Sequence, residues 1–235
     1  MKGALQFDPA AAHVSVLDTP EPEYFNKTPL LEGSWASWLV TASSYGQTCS
    51  IKSGTVLRPG ADDLFIVLGG CVVVTGIDAS HSSKPLFVTA MKRGDIITKP
   101  QYSSVDFSFT ARNEVHLLHV GGKHYKEFRD AVKNSEAGIM ATELTLLALH
   151  GVAAHSLLLN ETSRLLRVAT TLALHPDVPR GRNGTIVSCT KEQLLNYAGV
   201  FNRRIGARAF RELEQAGTIV FDGYKKFLYC GEVPV

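Results

Sequence analysis

From Asn202 the chain reads NRRIGARAFR, which puts four guanidinium groups and one amide into ten residues. Arginine presents a planar fork of donors that matches guanine O6 and N7, or two oxygens of a phosphate. Arg203, Arg204 and Arg208, at spacings of four and five, share one side of a helix, with Asn202 at its start. They are the candidates for base-edge and phosphate contacts. Ala209, Phe210 and Leu213 fall on the other side, where Leu194, Leu195 and Ile219 can pack against them. Arg211, Lys225 and Lys226 are better suited to phosphates, which position a protein on DNA without specifying sequence. For an Arg-rich helix taken alone, a solvated basic face is the competing reading.

The surrounding elements decide between the two. Thr190 is a good N-cap for a helix over KEQLLNYAG, which a glycine closes, and it joins the DNA-binding candidates. VFN turns the chain, RRIGARAFRELEQAG forms the second helix, and TIVFDGYKKFLYC reads as strand, Asp222-Gly223 turn and strand. Helix, turn, helix and hairpin make the layout of a winged helix-turn-helix, whose second helix enters the major groove. Charge agrees: residues 180–235 carry +4, the remainder −2, within a whole-chain net of +2.

Upstream, residues 1–44 say little beyond a short helix around Trp35, Trp38 and Leu39. Thr48 to Val120 alternates short β-branched and aromatic runs with Gly, Pro and Asp, which predicts an antiparallel barrel or sandwich. His124 to Val132 predicts a short helix and Ser135 to about Leu159 a longer one. Met140, Leu144, Leu147, Gly151, Ala154 and Leu158 recur on it at alternating spacings of four and three, a single apolar stripe. A buried core helix and a helix paired with its twin in a homodimer both explain that stripe. Arg164 to His175 forms another helix, ended by Pro176 and Pro179.

With 235 residues, 45% hydrophobic and 20% charged, the chain can bury a real core, which excludes a mainly disordered protein. No apolar run suffices to span a membrane, the N-terminus does not resemble a signal peptide, and the expected location is cytoplasmic. Cys49, Cys71, Cys189 and Cys230 are scattered without a C-x-x-C pair and read as buried reduced thiols. His116 and His119, three apart in one strand, face opposite sides and do not form a metal pair. Phosphate-loop, dinucleotide and serine-hydrolase signatures are missing, so no enzyme and no cofactor is expected.

Four stretches, KSGTVLRPGADDLFIVLGGCVVV, ARNEVHLLHVGGKHYKEF, RLLRVATTLAL and TKEQLLNYAGVFNRRIGARAFRELEQAGTI, occur in that order. Together they resemble the cyclic-AMP receptor protein / fumarate-nitrate reductase regulator (CRP/FNR) superfamily of bacterial transcription factors over about residues 40–231. The resemblance implies an α+β chain: a β jelly roll of the cyclic-nucleotide-binding type within 1–122, a helical dimerisation region at 123–160, and a winged helix-turn-helix at 161–235. It also implies a homodimer on a pseudo-palindromic duplex, with RNA polymerase as a further candidate partner. Cyclic-AMP-binding members carry a Gly-Glu pair for the ribose and an Arg-Ser/Thr pair for the phosphate. Here Thr98-Lys99 and Val105-Asp106 stand at those places. Lys99, Val105 and Asp106 would therefore line the effector pocket, and the Asp106 carboxylate would repel a cyclic phosphate. The cysteine cluster of the iron–sulfur oxygen sensors is also missing. The rival to a DNA-binding regulator is a dimeric sensor or adaptor whose winged helix binds protein.

Overall fold

The computed structural model describes residues 34–78, 85–99, 105–132 and 159–231, together with 149, 151, 153, 156 and 158; the side chains of 34–38 are outside the description. The chain opens with α1 (Ser34–Tyr45), followed by β1 (Gln47–Ile51), β2 (Val56–Leu57), β3 (Asp63–Gly69), β4 (Val72–Asp78), β5 (Leu86–Met91), β6 (Ile96–Thr98), β7 (Val105–Ala111) and β8 (Val115–Gly121). These strands form two antiparallel four-stranded sheets, β1-β8-β3-β6 and β2-β7-β4-β5. Val67, Val72, Val74, Val88, Phe109 and Leu117 meet between them as one buried cluster. The alternation of neighbouring side chains across a strand sends one set into this core and the other outward.

The outward sets are covered too. On the first sheet Leu64, Ile66, Leu118 and Val120 are buried beneath α1 and α2 (Lys123–Val132), with Tyr45 and Phe128 edge to face at 6.2 Å. On the second sheet Val73 and Phe87 are buried among residues of the C-terminal domain. Burial on both faces explains why FIVLGG and CVVV read as continuous apolar runs rather than alternating ones.

Four residues of the predicted dimer stripe, Met140, Leu144, Leu147 and Ala154, lie outside the described residues. Residues 149, 151, 153, 156 and 158 are helical. Leu149 is buried in the roll core with Ala153 partly buried against it, and Ser156 is buried as well. Gly151 and Leu158 are exposed, Leu158 at 59%.

After Asn160, whose side chain accepts from Ser163 N at 2.8 Å as an N-cap, α3 (Glu161–Leu174) runs into the C-terminal domain. β9 (Arg180–Gly181), β10 (Gly184–Val187), α4 (Lys191–Tyr197), α5 (Arg203–Gln215), β11 (Ile219–Asp222) and β12 (Lys226–Tyr229) complete it. In the strand order β11-β12-β10-β9 the C-terminal hairpin is joined by β10 and β9 in one four-stranded sheet. β9 and β10 pair as a hairpin, and Gly184 takes φ 136° against the Tyr229 carbonyl, where a Cβ would come within 2.2 Å of that oxygen. The cysteines divide: Cys71 and Cys189 are buried, but Cys49 and Cys230 are exposed, which corrects the expectation of four buried thiols. Cys49 sits on the edge strand β1, whose first four residues are all exposed.

One turn of the roll gives a stability prediction. In the β5–β6 turn, Asp95 Oδ2 accepts from Lys92 N at 2.8 Å, and burial pushes the carboxyl up to about 6 despite that bond and the Lys92 charge. A carboxyl raised above its unfolded value favours folding while protonated, and that contribution is lost as pH rises through about 6. Asp95→Asn keeps the acceptor without the charge and is expected to stabilise the protein by about 1–2 kcal/mol at pH 7.5. Melting curves at pH 5 and 7.5 should show the gain growing with pH; a gain that shrinks would contradict the assignment.

Candidate nucleic-acid interface

Two caps set the helix pair. Thr190 Oγ1 accepts from Gln193 N at 3.1 Å and Gln193 Oε1 accepts from Thr190 N at 2.9 Å, a reciprocal capping box that starts α4. Asn202 Oδ1 accepts from Arg204 N at 2.9 Å and from Ile205 N at 3.3 Å, which starts α5. The side-chain oxygen of Asn202 is thus occupied by its own helix, and its amide NH2 is what it offers to a partner. Between the helices, Gly199 has φ 64°, and a Cβ there would come within 2.1 Å of Leu86 Cδ2 on β5. The turn is therefore fitted to the roll as well as to its own helices. Where α4 and α5 cross, a Cβ on Gly206 would come within 2.6 Å of Leu195 Cδ2.

This framework aims the arginines. Ala209, Phe210 and Leu213 are buried with Leu194 and Ile219 in one cluster and Leu195 partly buried against it, as their helical spacing predicted, and Gly206 and Phe227 are buried as well. Arg203, Arg204, Arg208 and Arg211 are all exposed, as is Ala207 between them. The first turn of α5 contains no acid. Arg208 Nε lies 3.5 Å from Glu212 Oε1, whose other oxygen accepts from Thr162 Oγ1 at 2.7 Å. An exposed i,i+4 pair of this kind is worth well under about 1 kcal/mol, so a phosphate displaces it readily. Arg211 Nε donates back to the Ala207 carbonyl at 3.3 Å.

At the wing, Lys226 Nζ pairs with Asp222 Oδ2 at 2.7 Å, and Lys225 is exposed in the turn beside Tyr224, which is 74% exposed. Sequence reasoning passed over Lys191 and Ala207. Lys191 Nζ stands 4.3 Å over the Phe221 ring and 3.1 Å from Glu214 Oε1, so its charge is engaged within the domain. Ala207 lies four residues after Arg203, a spacing that a helical projection would have put on the same face.

The effector candidates fall on two sheets. Lys99 is exposed after β6 in the first sheet, while Val105 and Asp106 open β7 in the second, opposite Asp78 and Ile77. Asp106 is exposed. Residues 100–104, which join the two strands, lie outside the described residues.

A jelly roll followed by a winged helix-turn-helix is the fold that this chain shares with solved structures. Solved structures of the CRP/FNR family have this fold. The chain is similar to the c-di-GMP-responsive global regulator CLP of Xanthomonas campestris at 17% identity, with a TM-score of 0.62 over 84% of this chain and 100% of that one. It is similar to CooA of Carboxydothermus hydrogenoformans at 15% identity and TM-score 0.56, over 91% and 93% of the two chains. A CRP/FNR-family transcriptional regulator of Thermus thermophilus, TTHA1359, matches at 17% identity and TM-score 0.54, over 79% and 94%. No family model matches the sequence, and no curated protein does.

Proposed function

We propose that the chain is a homodimeric, sequence-specific DNA-binding transcription regulator and not an enzyme. The acid-free cationic face at the start of α5, held by Asn202 and the Gly199 turn, carries this reading. Arg203, Arg204 and Arg208 read base edges or adjacent phosphates, with Asn202 and Thr190 beside them. Arg211, Lys225 and Lys226 grip the backbone. The exposed positions of Gly151 and Leu158, against buried Leu149, support pairing of the predicted 135–159 helix with its twin. Two recognition helices then sit about 34 Å apart on a pseudo-palindrome. RNA polymerase is the natural further partner of such a regulator and the cytoplasm its place; among the described residues no helix is long and apolar enough to cross a membrane.

On this reading the roll does not take a cyclic nucleotide, since the resemblance aligns Val105-Asp106 with the pair that holds the phosphate, and a carboxylate there would repel it. Calorimetric titration with cyclic AMP is expected to give no heat; micromolar binding would overturn this part.

The experiment for the main reading is selection of genomic fragments by the purified full chain at physiological salt. Enrichment of one pseudo-palindrome is expected, with an affinity that falls steeply as salt rises. An adaptor reading has its own support in Phe201, Val220 and Tyr224, which are 46%, 48% and 74% exposed on the winged helix. Duplex binding that is absent, or indifferent to salt, would favour it.

A further inference from the structure

A cavity of about 410 Å3 lies between the roll and the winged helix. One wall comes from the β1–β2 and β7–β8 turns, the other from residues 175–179, the Ser188-Cys189 pair and α4. Of its lining residues only Arg112 and the exposed Asp177 bear a fixed charge. Arg112 crosses the gap: its Nη2 donates to the Ser188 carbonyl at 2.6 Å, and it also reaches the Cys71 thiol. A guanidinium has five N–H donors, and Arg112 pairs with no carboxylate among the described residues.

Asp177, exposed at the rim, is the one carboxylate on this lining; the other neighbouring groups add donors. Asn113 Oδ1 is taken by Cys71 N at 2.8 Å, and Gln193 Oε1 by Thr190 N at 2.9 Å, so each amide has its NH2 to offer. His175 accepts from Asp177 N at Nδ1 and donates from Nε2 to the Met91 carbonyl at 3.1 Å, the hydrogen-bonding pattern of a neutral imidazole. Burial pushes the Cys71 and Cys189 thiols up to about 11, so both stay protonated. Val178 and Ile186 supply apolar wall. A lone guanidinium with spare donors, two amide NH2 groups and an apolar flank is complementary to a planar, acceptor-rich anion with a short hydrocarbon body.

We propose that this cavity binds a small organic carboxylate, with Arg112 as its anchor between the two domains. Because both walls are needed, a bound carboxylate favours the docked arrangement of roll and winged helix over any other. Its effect on DNA affinity rests on the function proposed above; its binding does not.

The test titrates the full chain with benzoate, cyclohexanecarboxylate and hexanoate, each beside its primary amide, using ligand-observed NMR. At least one acid should bind about tenfold more tightly than its amide, and Arg112→Gln should abolish that preference while Arg112→Lys keeps part of it. Cooperative melting of each variant checks that it folds, and Arg129→Gln, an exposed control, should bind as wild type. Equal binding of acid and amide, a preference surviving in Arg112→Gln, or no response to any acid overturns the proposal. A parallel arm measures duplex affinity with and without the best acid. Failure of DNA binding in both conditions sinks the regulator reading and leaves the carboxylate site standing.

Discussion

The Arg203/Arg204/Arg208→Ala variant is expected to fold normally and to lose at least about two orders of magnitude in affinity for the selected operator, each side chain contributing on the order of 1–3 kcal/mol. Folding is spared because all three side chains are exposed and the helix is built by Asn202 at its cap and by Gly206, Ala209, Phe210 and Leu213 on its buried face. Single variants divide the roles. If a side chain reads a base, its loss relaxes preference at one operator position; if it touches phosphate, binding weakens evenly across sequences and the salt dependence becomes shallower by about one ion. Arg208→Ala also frees Glu212 from its 3.5 Å neighbour, leaving a carboxylate near the duplex, so it should be the most damaging single change. Electrophoretic mobility at several salt concentrations is sufficient. Undiminished specific binding by the triple variant would remove α5 from the interface.

Arg167→Ala is expected to cost about 3 kcal/mol or more of folding stability, measured by urea unfolding of the full chain. Arg167 is only 2% exposed although it carries a permanent charge. Its Nη2 donates to the Val88 carbonyl on β5 at 2.6 Å, and its Nη1 bonds to Ser156 Oγ. Three parts of the molecule meet there: α3, the roll, and the helical segment that contains Ser156. Truncation to alanine leaves buried acceptors without their donor and a hole the size of a guanidinium, and both effects are destabilising. Arg129→Ala on the exposed side of α2 removes the same kind of charge and should stay within about 0.5 kcal/mol of wild type. A comparable loss in the two variants would mean that Arg167 is not the junction its bonds describe.

The winged helix is legible in the sequence because its punctuation is local: Thr190 and Asn202 cap, Gly199 and Gly217 close, and Asp222-Gly223 turns. The roll is legible as a class, from β-branched runs between turn residues, but its pairing order is not. Strands β1 and β8 are adjacent through contacts some seventy residues apart, such as Gln47 with His119, and no local pattern specifies them. Arg167 cannot be distinguished from Arg164, the other arginine of RLLRVATTLAL, because its burial depends on where Val88 and Ser156 arrive in space. The interdomain cavity is hidden for the same reason: Arg112 and Ser188 are 76 residues apart. Gly199 reads as a helix stop, and its second role, making room for Leu86, belongs to tertiary structure alone.

The sharing of one apolar cluster between sheet and winged helix bears on how far this protein is modular. Val73 and Phe87 of the roll are buried among Leu165, Leu194 and Val200, and Phe87 meets Tyr197 ring to ring at 6.0 Å. A C-terminal unit packed in this way cannot be exchanged for that of a protein of the same fold by cutting at residue 160 and splicing. Chimeras would need Val73, Leu86 and Phe87 to travel with residues 161–231 as one transplanted unit, since otherwise two apolar scars face water and the hybrid aggregates.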